Sequence, residues 1–166
     1  AAPTPTGTGP YITPNGVSNA ASSAPFTYGV SNGELVTIYG SGLAPSNAFA
    51  GAGSFPLSLA GVQVFVNGTA AALYYVTPGA ISFIVPFANT ASIAAIQVVN
   101  NSVPSNTVTV AVYPSTPGVF TNPVGGLGYA VAGHLDYTAV TPSHPALPGE
   151  TIFVYVDGLG SVTPTN

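Results

Sequence analysis

Gly33-Glu34-Leu35-Val36-Thr37-Ile38-Tyr39-Gly40-Ser41-Gly42-Leu43 recurs near the other end of the chain as Gly149-Glu150-Thr151-Ile152-Phe153-Val154-Tyr155-Val156-Asp157-Gly158-Leu159. Both stretches read Gly-Glu-x-(Val/Ile)-x-(Ile/Val)-Tyr-x-x-Gly-Leu. β-branched and aromatic residues alternate between an opening turn glycine and a closing Gly-Leu, which is the pattern of one β-strand bent at each end. Prolines approach both copies, Pro25 before the first and Pro142, Pro145 and Pro148 before the second. The same strand is therefore expected twice. Strand signals continue well beyond Leu43, whereas seven residues follow Leu159. The expectation is one complete unit and one incomplete one.

The rest of the chain supports an all-β reading. Val62 to Val66 runs into Asn67-Gly68, a hairpin turn, and Ala70 to Val76 reads as the returning strand. Ala80 to Val85 is a strand stopped by Pro86. Ile93 to Val99 and Val103 to Val112 form a hairpin about Asn100-Asn101-Ser102, with Val108, Val110 and Val112 on one face and Thr107, Thr109 and Ala111 on the other. Pro14-Asn15-Gly16 reads as a turn between Tyr11-Ile12-Thr13 and Val17 to Ala21. Residues 44–60 read as a long loop carrying Phe49 and Phe55. About seven short strands separated by Gly, Pro and Asn turns indicate a β-sandwich. Beyond Pro114-Ser115-Thr116-Pro117-Gly118, a hairpin over Gly128 to Val140 turning at Gly133-His134 leads into the second copy. The expected division is an extended arm over 1–10, a sandwich over 11–113 and a partial second unit over 114–166.

Composition bounds the function. The 166 residues include no Lys or Arg, four carboxylates (Glu34, Asp136, Glu150, Asp157), two histidines and no cysteine. Phosphate neutralisation requires Lys and Arg, so nucleic acids and anionic membrane surfaces are excluded as partners. No apolar run approaches the ~20 residues of a membrane-spanning helix, so membrane insertion is not expected. Mean hydropathy is +0.48, and an apolar surface with almost no repulsive charge favours association. Abundant Thr and Ser with scarce charge suit an extracellular or cell-surface location.

Six ordered motifs carry a family resemblance: Val17-Ser18-Asn19-Ala20-Ala21-Ser22, the first Gly-Glu strand, Val66-Asn67-Gly68-Thr69-Ala70-Ala71, Tyr75 to Pro86, Val103 to Val110, and Pro117-Gly118-Val119-Phe120-Thr121. In this order they resemble the uncharacterised Solibacter-type C-terminal domain of secreted acidobacterial proteins. The resemblance implies two tandem immunoglobulin-like units of the transcription-factor-immunoglobulin, filamin-like sort, and implies no activity. Members of that family continue for several strands past the segment matching Gly158-Leu159-Gly160.

Catalytic signals are few. Gly29-Val30-Ser31-Asn32-Gly33 fits G-x-S-x-G, and Asp136 and His144 follow in hydrolase order. That motif works on a strand-to-helix turn, whereas Ser31 precedes a strand in a chain with no helical periodicity. No enzyme activity, cofactor or metal centre is expected. Glu34 and Glu150, at equivalent places, suggest a repeated structural bond to backbone amides or a hydroxyl. Asn67 and Asn100 stand in N-glycan acceptor triplets.

An unfinished sandwich leaves backbone donors and acceptors bare along a sheet edge, where another segment can add a strand. The expected function is thus an extracellular structural subunit that forms a head-to-tail homopolymer by strand complementation. Pro3, Thr4, Pro5, Thr6, Thr8, Tyr11 and Ile12 form the expected donor arm, and Ile152, Val154 and Val156 the acceptor edge. The alternative is a terminal binding module, an adhesin or carbohydrate-binding unit of a larger secreted protein, with glycans as partners through the Phe49 to Phe55 loop.

Overall fold

A computed structural model describes residues 9–161. Among them the first region contains β1 (Tyr11–Asn19), β2 (Val30–Ser31), β3 (Leu35–Ser41), β4 (Ala48–Phe49), β5 (Val62–Val66), β6 (Thr69–Ala70), β7 (Ala72–Val76), β8 (Ala80–Ile84), β9 (Ile93–Asn100) and β10 (Val103–Tyr113). They form two five-stranded sheets, ordered β1-β3-β8-β7-β4 and β2-β10-β9-β5-β6. Alternation does the sorting. Val36 and Ile38 on β3, Ile81 and Phe83 on β8, and Val62 and Val64 on β5 are wholly inaccessible to solvent. All belong to one apolar cluster between the sheets. Each such side chain contributes about 1.5–3 kcal/mol relative to exposure. The all-β sandwich read from the sequence is the observed architecture.

Three local expectations change. Pro14-Asn15-Gly16 does not separate two strands. It is an irregularity inside β1, where the pairing with β3 shifts register between Ile12 and Val17, and Gly16 sits where a Cβ would lie 2.8 Å from the Tyr39 carbonyl oxygen. The strand expected over Ala70 to Val76 is divided. β6 closes a hairpin with β5 through Asn67 and Gly68, both at positive φ. The chain then crosses at the buried Ala71 so that β7 joins the other sheet, the corner-turning of a strand that switches sheets. Residues 44–60 also contain β4, which pairs with β7.

The second region is sparser: β11 (Gly118–Val119), β12 (Thr121–Asn122), β13 (Tyr129–Ala130), β14 (Ala132–His134), β15 (Ile152–Val154) and β16 (Val156–Asp157). They pair two by two, β11 with β16, β12 with β13 and β14 with β15. The hairpin expected to turn at Gly133-His134 turns three residues later. Gly133 and His134 lie within β14, and the turn spans Leu135–Tyr137, with Tyr137 at φ +67 and His134 N–H donating to Thr138 O at 2.9 Å. Asp136 accounts for the shift. Its carboxylate accepts the Thr138 N–H at 3.0 Å and the Thr138 hydroxyl at 2.7 Å, so the side chain fixes a turn that the glycine was expected to make.

Candidate functional site

The two Gly-Glu strands begin in the same way. Glu34 N–H donates to Ser31 O at 3.2 Å and Glu150 N–H to Leu147 O at 3.0 Å. Gly33 and Gly149 occupy the third turn position at φ +78 and +85, a conformation open to glycine and strained for other residues. In each copy the glutamate folds back onto its own turn, accepting the backbone N–H three residues earlier, from Ser31 at 2.6 Å and from Leu147 at 2.8 Å. Each glutamate also takes a donor from the neighbouring strand. Asn19 Nδ2 donates to Glu34 at 2.9 Å, and His134 Nδ1 meets Glu150. Asn19 pairs with Val36, and His134 with Ile152, so asparagine and histidine hold the same place in the repeat. The repeated structural bond read from the sequence is present in both copies.

The environments then diverge. Glu34 is fully buried and also accepts the Thr116 hydroxyl. Burial pushes its carboxyl above the ordinary carboxylate range, against the lowering effect of the Thr116, Ser31 and Asn19 donors, and nearby Asp157 adds to the rise. Asp157 accepts Leu35 N–H at 2.9 Å and is itself raised by burial. Asn19 Nδ2 reaches Thr116 O at 3.2 Å, and Thr116 N–H donates to Gly158 O at 2.8 Å. The start of β3, the Thr116 segment and the end of β16 are thereby bonded into one seam. Gly158 and Gly160, both at positive φ, pass so close to the Thr116 and Pro114 carbonyls that a Cβ would collide with backbone. No sequence signal marked Thr116 or Asn19 as partners of Glu34, since both are distant in the chain and common in loops.

The seam presents β15 and β16 with one side open. In the first region β3 lies between β1 and β8, with registers Val36↔Phe83 and Ile38↔Ile81. In the second, β14 and β11 take the places of the two ends of β1, pairing as Ala132↔Val154 and Val119↔Val156. Among the described residues no strand takes the place of β8. Ile152 and Val154, the counterparts of the inaccessible Val36 and Ile38, are 37% and 41% exposed. They floor an apolar groove of about 300 Å³ walled by Tyr129, Val140, Pro142 and Pro145. Phe153 and Tyr155 stand on the opposite face with ring centroids 5.5 Å apart. Of the residues expected to form the acceptor edge, Ile152 and Val154 lie on β15 and Val156 on the following β16, all three partly exposed.

The other candidates are dispersed. Tyr11 and Ile12 belong to β1, and Ile12 is fully buried in the sandwich core. That corrects their assignment to the donor arm, because both residues are in register with β3 and the Ile12 N–H and C=O are bonded to the Asn106 side chain on β10. Pro3, Thr4, Pro5, Thr6 and Thr8 lie outside the described residues. Ser31 is buried with its hydroxyl 3.3 Å from Glu34. Among the described residues no hydrogen bond joins it to Asp136 or His144, which belong to the second region, where His144 stacks on His134 at 4.3 Å. Asn67 Nδ2 donates to Ile93 O at 2.8 Å and to Asn89 Oδ1 at 3.0 Å, and Asn100 Nδ2 to Gly42 O at 2.9 Å. A glycan on Asn67 would displace one of the two bonds that its Nδ2 donates. Phe49, Tyr75, Tyr74 and Phe55 form a row with successive centroids 5.9, 5.9 and 5.3 Å apart, which joins the two loop aromatics through β7. The chain matches no family model, no curated protein and no solved structure.

Proposed function

We propose that this chain is an extracellular structural subunit whose copies associate by adding a strand to the open side of β15 and β16. One observation carries the reading: the same strand motif is enclosed by β8 and a second sheet in the first region and, among the described residues, is bare on that side in the second. A bare edge is a template for pairing, and natural sheets guard theirs with Lys, Pro or bulges. Residues 151–157, Thr-Ile-Phe-Val-Tyr-Val-Asp, contain neither Lys nor Pro. Donor and acceptor surfaces at different places on one molecule give a head-to-tail contact, which propagates unless it closes into a ring. The resemblance to the Solibacter-type, immunoglobulin-like domain, and a location at the cell surface, belong to this proposal.

Electron microscopy beside concentration-dependent sizing tests it. The purified chain should form oligomers or filaments. Val154→Asp should abolish them while leaving the far-ultraviolet circular dichroism of the sandwich unchanged, because Val154 is already partly in solvent. A wild-type chain that stays monomeric at all concentrations, or Val154→Asp filaments, overturns the reading.

The aromatic row favours a second reading, a glycan-binding module. Phe49 is 67% and Tyr74 41% exposed, and exposed rings offer faces for stacking sugars. Affinity electrophoresis through immobilised polysaccharides checks it: a retardation lost in Phe49→Ala and Tyr74→Ala supports a glycan site, and migration unchanged in every polysaccharide removes it.

A further inference from the structure

β3 and β8 supply a template for the missing strand. Along β3 the backbone groups of alternate residues face opposite neighbours: Leu35 O accepts from Ala20 beyond β1, whereas Glu34 O accepts from Val85, and Gly40 N–H donates to Gly79 O, on the β8 side. Val36 and Ile38 share the phase of Glu34 and Gly40 and so face β8. The second copy keeps this phase. Tyr155 N–H donates to Val131 O and Tyr155 O accepts from Phe120, both on the β14 and β11 side. The N–H and C=O groups of Ile152, Val154 and Val156 therefore point to the open side. An incoming antiparallel strand must offer paired groups at three alternate residues, while the residues between them direct their N–H groups away and need none.

Residues 3–8 read Pro-Thr-Pro-Thr-Gly-Thr. Both prolines fall in one phase and all three threonines in the other. Proline lacks an N–H and is tolerated in a strand where that N–H would face solvent. Each residue preceding a proline is biased to extended backbone, and threonine is β-branched and suits a strand. We infer that residues 3–8 of one copy form the strand that completes β15 and β16 of the next, with Thr8 opposite Ile152, Thr6 opposite Val154 and Thr4 opposite Val156. This assignment rests on the strand-addition reading above and names its donor. In that register the threonine methyls face the groove beside Ile152 and Val154, and Pro5 lies across from Tyr155, on the face carrying the Phe153 and Tyr155 rings. Tyr155 is 54% exposed, so a proline ring there covers apolar surface. No like-charge repulsion opposes the pairing, because residues 1–8 carry no charged side chain and the acceptor strand carries a single carboxylate, Asp157, which accepts Leu35 N–H.

The chain has no cysteine, which permits a clean cross-linking test. Pro5 and Tyr155 form a non-hydrogen-bonded pair in this register, the kind with the closest side chains. Pro5→Cys combined with Tyr155→Cys should give, on oxidation, a ladder of covalent oligomers on a non-reducing gel. The pair Pro5→Cys with Phe153→Cys, out of register, should give much less. Thr6→Pro removes a ladder donor and should raise the concentration needed for assembly about tenfold or more, whereas Pro5→Thr should leave it near wild type. Filaments that persist after deletion of residues 1–8 overturn the donor assignment. If those filaments are still lost in Val154→Asp, strand addition at β15 survives with another donor. A cross-link confined to single chains shows the arm closing on its own molecule and overturns the exchange between copies. Equal ladders from both cysteine pairs overturn the register.

Discussion

Val36 and Ile38 on β3 are inaccessible to solvent, and Ile152 and Val154 on β15, reached by the same count from an equivalent glutamate, are more than a third exposed. The two strands share their motif, opening turn, glutamate bond and pairing to the strand before. What differs is everything contributed from elsewhere in the chain. β3 has β8 at its side and the β2-β10-β9-β5-β6 sheet over its apolar face, whereas β15 has a shallow groove. A local pattern makes a strand with an apolar face, and distant segments decide whether that face becomes core or contact surface.

The sharpest way to break this comparison is to remove each glutamate. Glu34→Ala leaves the Ser31 amide, the Thr116 hydroxyl and the Asn19 amide without their acceptor in a buried seam. Unsatisfied donors cost about 1–3 kcal/mol each and do not add fully, so a loss of about 4 kcal/mol is expected in urea unfolding followed by circular dichroism. Glu150→Ala should cost far less, because water reaches that turn. Comparable losses at the two sites would mean that the second region is as enclosed as the first.

The apolar faces come next. Ile38→Ala should destabilise by about 3 kcal/mol through a cavity in packed core, and Val154→Ala by less than about 0.5 kcal/mol in the monomer. If copies associate through this face as proposed, the difference should shrink at concentrations where oligomers form.

Titration separates the regions further. Glu150 and then the His144 carbonyl raise the His134 pKa against burial, with Asp136 adding to the rise. The His134 hydrogen bond and the Leu147 amide hold Glu150 below the ordinary range, and the Thr138 bonds lower Asp136. A raised histidine stabilises fully below its ordinary value of 6.5 and loses that contribution as pH rises through its folded value. A lowered glutamate stabilises above its ordinary 4.5 and loses it as pH falls through its folded value. Protection of the β14 and β15 amides against hydrogen exchange should therefore be greatest between about pH 4.5 and 6.5. The seam should respond oppositely to acid. Raised Glu34 and Asp157 stabilise most below the ordinary carboxylate range and lose that contribution as pH rises through their folded values.

His134→Asn, which transplants the first region's solution, is the smallest change. It should flatten the pH dependence arising from His134 while leaving midpoint stability at pH 7 nearly unaltered, by chemical denaturation at several pH values. A pH profile identical to wild type would show that the histidine is not what distinguishes the two glutamate sites.

Much of this was legible in the sequence because it is local. The Gly-Glu strands, the Asn67-Gly68 hairpin and the alternation of Val108 and Val110 with Thr107 and Thr109 follow from backbone preferences within a few residues. The second copy of the strand was legible too, through the repeat. The errors share a cause: Pro14-Asn15-Gly16 and Gly133-His134 look like turns by composition, yet pairing to β3 absorbs the first into a strand and the Asp136 side chain moves the second.

Local chemistry by itself determined that this chain is built of strands, that one strand motif occurs twice, and that almost no charge opposes association. Tertiary structure alone decided that Ala71 divides one strand between two sheets, that Tyr11 and Ile12 are committed to the sandwich, and that Asn19, Glu34, Thr116 and Asp157 meet in one seam. Those outcomes depend on groups brought together from many residues apart. A strand's period of two settles which side chains share a face, but whether water or another strand meets that face is settled by the rest of the chain.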